Sequence, residues 1–497
     1  MIFAPQGNYT PFFKKTHLNL DLLGACRFFQ KSGVPSVFLE SARVSKKLGR
    51  YSLFAKDPFL IFESKGGRST VRSYDFVEEI KGDPFEILRR VLCLFSYPQG
   101  PGWPPFLGGA VGYLGYEAKN LIEPKRFPQG KPGLSLPDVY FLFFDHGVVQ
   151  DHKKGEAYLF SNRRVGGDFM KTRIAALKKI NLLEENLRHL LKGKKISPGG
   201  PIPFKPPTKI SSSFSRNAFK RAVHNAKEYI RRGDIYQANL SQRLDFPFHA
   251  SALDVYENLR KINPSSFFGF LDTGDFQILS GSPERLIKLE GGILETRPIA
   301  GTRSRGKTPL EDSMLARELV LNEKERAEHI MLVDLERNDM GRVAEYGSVS
   351  VDELMVVEDY SHVKHIVSNV RGVLRSGLDG VDVLKSFFPG GTITGAPKIR
   401  SMEVIDELEP VGRGPYTGSM GYFSFSGNMD FNIIIRSLII KNKKAYLNVG
   451  AGIVADSNPD QEYDETLYKA EGVLSAVFGE KRVKGFLKQR GVARRLS

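Results

Sequence analysis

Two cysteines, one tryptophan and no unbroken apolar run of membrane length occur in 497 residues. Each scarcity excludes something. Cys26 and Cys93 stand far apart, so no cysteine zinc framework or disulfide scaffold can be built, and two isolated thiols fit a reducing compartment. The longest apolar stretch, Phe431 to Ile440, is interrupted by Asn432, Arg436 and Ser437, which argues against a membrane span. The opening MIFAPQGNYTPFFKK lacks the basic start and long apolar core of a secretory signal. The cytoplasm is the expected location.

The chain is short of negative charge, with a net charge of +16. The excess is spread thinly, with local concentrations at Lys192–Lys195 and from Lys481 to Arg495. No aromatic-interleaved basic stripe accompanies it, so nucleic acid is not an expected partner. A net positive field also draws in anionic substrates. A hydrophobic fraction of 41% beside 26% charged residues is ordinary globular composition and supplies a sizeable core.

One break divides the chain. Residues 193–213, GKKISPGGPIPFKPPTKISSS, are dense in Pro, Gly, Ser and Lys without apolar periodicity, and read as a linker. The expected parts are an N-terminal domain over 1–192, a second domain over 214–480 and a basic tail over 481–497. Short alternating or aromatic-rich segments predict strands at Val34–Glu40, Tyr51–Phe54, Phe59–Glu63, Val139–Asp145, Ala157–Phe160, Phe267–Leu271, Gln277–Ser280 and Ala445–Val449. Helical spacing predicts helices at Asp168–Leu191, Arg216–Arg231, Glu311–Val333 and Tyr463–Phe478. Strand–turn–strand runs outnumber strand–helix–strand units, so the expected class is α+β, with antiparallel sheets packed together and helices outside.

Glu325 and Glu328 lie three apart in a helical pattern and share one face; Glu462 and Glu465 repeat the spacing, with Lys469 one turn beyond. Two such helices could turn their carboxylates toward one hard cation such as Mg²⁺, which takes oxygen ligands. Two glutamates at this spacing equally describe a solvated face. FFPGGTITGAPKIRSME places Gly390, Gly391, Thr392, Thr394, Gly395 and Lys398 at the start of an expected helix, where N–H groups and a hydroxyl could hold a carboxylate. Its spacing is not that of a phosphate-binding Walker loop. LNVGAGIVADS sets Gly450 and Gly452 after a strand, where a ligand can approach the backbone or a turn needs positive φ. PIAGTRSRG adds Gly301, Thr302, Arg303 and Arg305. Arg436, among apolar residues in IIIRSL, needs an anion, either a structural or a ligand carboxylate. His365 in YSHVKHIV is either a proton donor near neutral pH or a packed core histidine.

Taken in order, these segments resemble one family. GDIYQANLSQR, SGSPERL, ETRPIAGTR, AEHIMLVDLERNDMGRV, YSHVKHIVSNVRG, GGTITGAPKIRSMEVIDELEP, GSMGYFSFSGNMD and VGAGIVADSNPDQEYDETLYKA are similar to the chorismate-binding domain of anthranilate and aminodeoxychorismate synthases, from about Phe214 to Val477. FLESAR, GRYSLFA and GGAVGYLGYE resemble that family's N-terminal domain over about 20–190. The resemblance implies chorismate as substrate and Mg²⁺ as cofactor. Glu328 and Glu465 would be its ligands, with Glu462 and Glu325 completing the acidic shell. It implies substrate-binding roles for Gly301, Thr302, Thr392, Tyr416, Arg436, Gly450, Gly452 and Lys469, and a general-acid role for His365, with Glu325 and Lys469 also at the reacting centre. Glu40 and Ser41 in FLESA resemble the family's tryptophan pocket. No Cys–His glutaminase segment is recognisable, so ammonia is expected from a glutamine amidotransferase subunit in a heterodimer or heterotetramer.

Within the family the signals divide. Many aminodeoxychorismate synthases carry a lysine in PIKGT; this chain has Ala300, as anthranilate synthases do. YQANLSQR, LSGSPE, FPGGTITGAPK and NPSSFFGF lean toward aminodeoxychorismate synthase. That reading, component I of aminodeoxychorismate synthase, is preferred, with anthranilate synthase component I second. Isochorismate and salicylate synthases are disfavoured because their water-activating lysine is not evident. A non-catalytic chorismate-fold module is the alternative outside enzymes, and retention of the four acidic positions with Arg436 and Lys469 argues against it.

Overall fold

Strands dominate because the apolar residues alternate or run continuously in short β-branched and aromatic segments. Leu60–Lys65 alternates buried positions with half-buried or exposed ones, whereas Gly109–Leu114 and Val139–Phe144 are buried throughout, as strands covered on both faces must be. In the computed structural model, residues 8–17, 20–30, 33–41, 49–124, 127, 131–192, 210–359 and 363–490 are described.

These strands form two twelve-stranded sheets, antiparallel throughout their paired registers. Neither sheet belongs to one half of the sequence. The first runs from Asn8–Thr16 through Glu156–Val165, His146–Asp151, Tyr51–Lys56 and Ser36–Glu40, then continues into Phe267–Asp272, Phe276–Ser282, Ser437–Lys441, Lys444–Ile453 and Gln237–Pro247. Its two halves meet where Ser36–Glu40 pairs with Phe267–Asp272. In the second sheet the join lies between Gly109–Leu114 and Ser419–Ser424. Strands from either side of the expected linker therefore share both sheets. Residues 193–209 of that linker and 491–497 of the expected tail lie outside the described residues. Glu480–Gln489 is a helix that buries Val483 and Leu487.

Between the sheets lies a core that includes Val37, Val111, Tyr113, Leu142, Ile278, Met420 and Ile439. Helices Arg216–Arg231, Ala252–Ile262 and Pro459–Phe478 contribute to a core with residues of the first sheet, and Pro84–Cys93, Glu323–Gly341 and Gly380–Phe387 to one with residues of the second. The α+β sandwich with helices outside is as expected. Among the described residues no helix is long and apolar enough to cross a membrane.

Two local expectations need correction. The single helix expected over Glu311–Val333 is two, Pro309–Leu321 and Glu323–Gly341. Asn322 leaves the helical region at ψ 115°, and its side chain accepts the Glu325 N–H, so it ends one helix and caps the next. Arg436 is not inside a strand: it sits at φ +52° between Met429–Ile433 of the second sheet and Ser437–Lys441 of the first, where the chain crosses over. A left-handed residue cannot continue an extended ladder.

Candidate functional site

The acid pairs lie on the helices expected. Glu325 and Glu328 occupy the start of Glu323–Gly341; Glu462 and Glu465 occupy the start of Pro459–Phe478. All four are half-buried. Two are held by cations: Arg303 donates to Glu325 at 3.0 Å, and Lys469 pairs with Glu465 at 2.9 Å. Glu328 and Glu462 meet neutral groups instead, the Gln237 amide at 3.3 Å and the Ser457 hydroxyl. Burial pushes both carboxyls above their ordinary range, and like charge on Glu325 and Glu465 adds to it. Both feel Lys324 and Lys469, which places the two pairs around one basin. Among the described residues no three His, Cys, Asp or Glu side chains stand close enough to make a closed metal cage.

The basin's floor is built where Lys444–Ile453 pairs with Gln237–Pro247, Gly450 opposite Ser241 and Gly452 opposite Asn239. A Cβ on Gly450 would lie 2.6 Å from Asn239 Oδ1 and 2.9 Å from the Tyr416 hydroxyl; one on Gly452 would lie 2.6 Å from Gln237 Nε2. Glycine here keeps a cradle open rather than serving a turn. Lys469 Nζ donates to the Gly450 carbonyl at 3.1 Å, tying the helix to this floor. The Gln237 Oε1 and Asn239 Oδ1 oxygens are buried with no hydrogen-bond partner. Buried polar atoms left unpaired within one pocket are what a ligand would satisfy.

Gly301 sits at φ +61° in a bulge of the Ile299–Ser304 strand, between Ala300 and Thr302, with Thr302 opposite His365. A Cβ there would meet the Glu325 carboxylate at 2.9 Å. His365 Nδ1 donates to the Gly301 carbonyl at 3.0 Å, which leaves Nε2 as an acceptor while the ring is neutral. Burial, with the nearby Arg436, lowers the imidazole below its ordinary value and favours that neutral form. The neighbouring Tyr360–His362 lie outside the described residues.

Several pocket residues carried no assigned role in the sequence. Glu284, from SGSPERL, is buried and lies beside both Arg436 and the Thr392 hydroxyl, and burial pushes its carboxyl up to about 7. Gln237 and Asn239, within the quoted YQANLSQR, line the floor. Arg413 is 1% exposed; it donates to both oxygens of Glu409, to the Ile393 and Asn239 carbonyls and to the Thr417 hydroxyl. The signals were a glutamate after a proline and an arginine between glycines, neither specific without the fold.

Glu40 and Ser41 are buried. Glu40 accepts from the Tyr256 hydroxyl at 2.9 Å and pairs with Arg260 at 3.1 Å, both from the helix Ala252–Ile262. These partners are not those of the basin.

A family model described as chorismate binding enzyme matches residues 44–475. The chain is 41% identical to anthranilate synthase component 1 of Acetivibrio thermocellus, over 96% of this chain and 97% of that one. It is 42% identical to aminodeoxychorismate synthase component 1 of Bacillus subtilis (strain 168), over 95% and 97%. The crystal structure of anthranilate synthase component I from Streptococcus pneumoniae TIGR4 superposes with a TM-score of 0.74 at 35% identity, covering 87% of this chain and 93% of that one.

Proposed function

Because this chain belongs to the family of chorismate binding enzymes, of the anthranilate and aminodeoxychorismate synthase type, we propose that it aminates chorismate with ammonia supplied by a glutamine amidotransferase partner. The preferred product is 4-amino-4-deoxychorismate. The observation that carries this reading is a basin with two faces of opposite character. One holds the acid pairs of two helices, with Lys469 against Glu465; the other offers the Tyr416 hydroxyl and the glycine cradle, and Arg436 stands beside Glu284 and His365. A dicarboxylate with a bound cation needs both. The relatives' designation as component 1 supports a second, ammonia-supplying component.

The donor set suits Mg²⁺. Glu328 from one helix and Glu462 or Glu465 from the other would hold it, with water and substrate oxygens completing the shell. When bound, the ion neutralises negative charge on the ring carboxylate. Arg436, the Tyr416 hydroxyl and the backbone at Gly450 and Gly452 orient the carboxylates of the substrate. Burial raises the Glu284 carboxyl to about 7, so its protonated fraction at neutral pH can give a proton to the departing ring hydroxyl, which leaves as water. His365, kept neutral by burial with its Nδ1–H anchored on Gly301, stands beside Arg436 and helps orient the substrate. This division assigns the acid to Glu284 in place of His365.

The choice of ring position rests on YQANLSQR, LSGSPE, FPGGTITGAPK and NPSSFFGF. Ala300 favours the second reading, anthranilate synthase component I, since alanine cannot attack the ring covalently as a lysine amine could. Product analysis with chorismate, Mg²⁺ and ammonium decides. A product that keeps its enolpyruvyl group and yields 4-aminobenzoate only with an added lyase is expected. Anthranilate fluorescence with equimolar pyruvate would overturn the C4 reading, and absence of any aminated product would overturn both.

A further inference from the structure

Tyr416 reaches the basin floor from a loop that the protein holds in a costly shape. Gly414 stands at φ +62° and Thr417 at φ +59°. For a β-branched residue such as threonine this region is a genuine outlier, and it persists only where the surroundings over-determine it. Two sets of contacts do so. From inside, the Arg413 guanidinium binds the Thr417 hydroxyl at 3.1 Å and the Asn239 carbonyl at 2.5 Å, and the Thr417 N–H donates to the Ile434 carbonyl at 2.9 Å. From the other side come residues of GGAVGYLGYE, at the end of the Gly109–Leu114 strand. Glu117 Oε1 accepts the Arg413 N–H at 2.7 Å, and Glu117 Oε2 accepts the Gly414 N–H at 2.9 Å. The Tyr116 N–H donates to the Gly414 carbonyl at 2.7 Å. The Gly412 N–H donates to the Pro132 carbonyl at 2.9 Å, and a Cβ on Gly412 would approach Glu117 Oε1 to 2.9 Å.

We infer that Glu117 is a positioning residue, which clamps the backbone at Arg413 and Gly414 so that the Tyr416 hydroxyl stands at the Gly450 cradle. A carboxylate suits the task because it offers acceptors on both oxygens to two successive N–H groups. Glutamine of the same size would turn one contact into a donor facing a donor, and release one end of the clamp. Glu117 does not line the basin, so it acts through Tyr416. The kinetic side of the inference rests on the chorismate reading above; the clamp itself does not.

The test compares Glu117→Gln, Glu117→Asp and Tyr416→Phe, singly and with Glu117→Gln and Tyr416→Phe combined. Hydrogen exchange reports the clamp without substrate. The Arg413 and Gly414 amides should exchange about tenfold faster in Glu117→Gln, while the sheet strands keep their protection. With chorismate and ammonium, Glu117→Gln should raise KM about tenfold and change kcat about twofold or less, and Glu117→Asp should fall between it and the parent. In the Tyr416→Phe background, Glu117→Gln should add almost nothing, since coupled residues are not additive. Unchanged exchange at 413–414, or factors that multiply in the double variant, would overturn the inference. So would a uniform loss of protection in Glu117→Gln and Glu117→Asp alike, which marks a merely structural role. Failure of the parent protein to turn over chorismate would count against the pocket reading, and the exchange result would still decide the clamp.

Discussion

Two charged regions flank the same pocket and are built in opposite ways. The Arg413 guanidinium is answered from within: Glu409 takes two of its hydrogen bonds, and two carbonyls and a hydroxyl take others; Glu117, whose own carboxyl burial pushes up, holds the backbone beside it. At the acid basin, burial and like charge act against Glu328 and Glu462 while their hydrogen-bond partners are neutral. The first region spends its electrostatics on holding a shape. The second keeps an unfavourable arrangement that a cation would relieve.

Removing the arginine tests the first half of that contrast and carries the largest expected effect. Arg413→Ala leaves Glu409, which is 4% exposed, buried without its cation. Breaking one partner of a buried pair costs about 3–5 kcal/mol, read as a fall in unfolding free energy in denaturant. A loss below about 1 kcal/mol would remove the distinction between the regions.

Glu328→Gln should do the reverse. Because burial and Glu325 already disfavour the ionised carboxyl, the neutral amide should leave unfolding free energy unchanged or slightly raised. Turnover at limiting Mg²⁺ should fall about a hundredfold, equivalent to about 2.7 kcal/mol. Added Mg²⁺ should raise the Tm of the parent protein and not of the variant, since a ligand stabilises only what binds it. Near-normal turnover with an intact Mg²⁺ shift would sink the assignment.

The smallest effect concerns Glu284, which sharpens the contrast by asking whether a strained carboxyl also moves a proton. Burial pushes it up to about 7, so the acid form dominates below that pH and is lost above it. At constant free ammonia, kcat should be about tenfold lower at pH 8 than at pH 6, and Glu284→Gln should be slow with that limb absent. An unchanged limb in the variant would pass the role to another group.

Much of this was legible residue by residue. Helical periodicity puts Glu325 with Glu328, and Glu462 with Glu465, on single faces, because side chains three apart are neighbours on any helix. Alternating segments such as Leu60–Lys65 are strands for equally local reasons. Asn322 was hidden inside an apolar-periodic run, where its capping side chain outweighed the periodicity that joined the two helices. Arg436 read as part of a strand because nothing in IIIRSL signals the change of sheet at its left-handed backbone.

The sequence by itself determined the local periods, the acid spacings, the glycine positions and the motif order that places the chain in its family. Only the tertiary structure decided that each half of the chain supplies part of both sheets, that Glu284 is buried beside Arg436, and that Glu117 reaches a loop almost three hundred residues away. The physical reason is range. Backbone sterics and side-chain periodicity act over a few residues and are written in consecutive letters. Burial, charge compensation and sheet joining depend on which distant segments close on one another, and no local pattern encodes the partner.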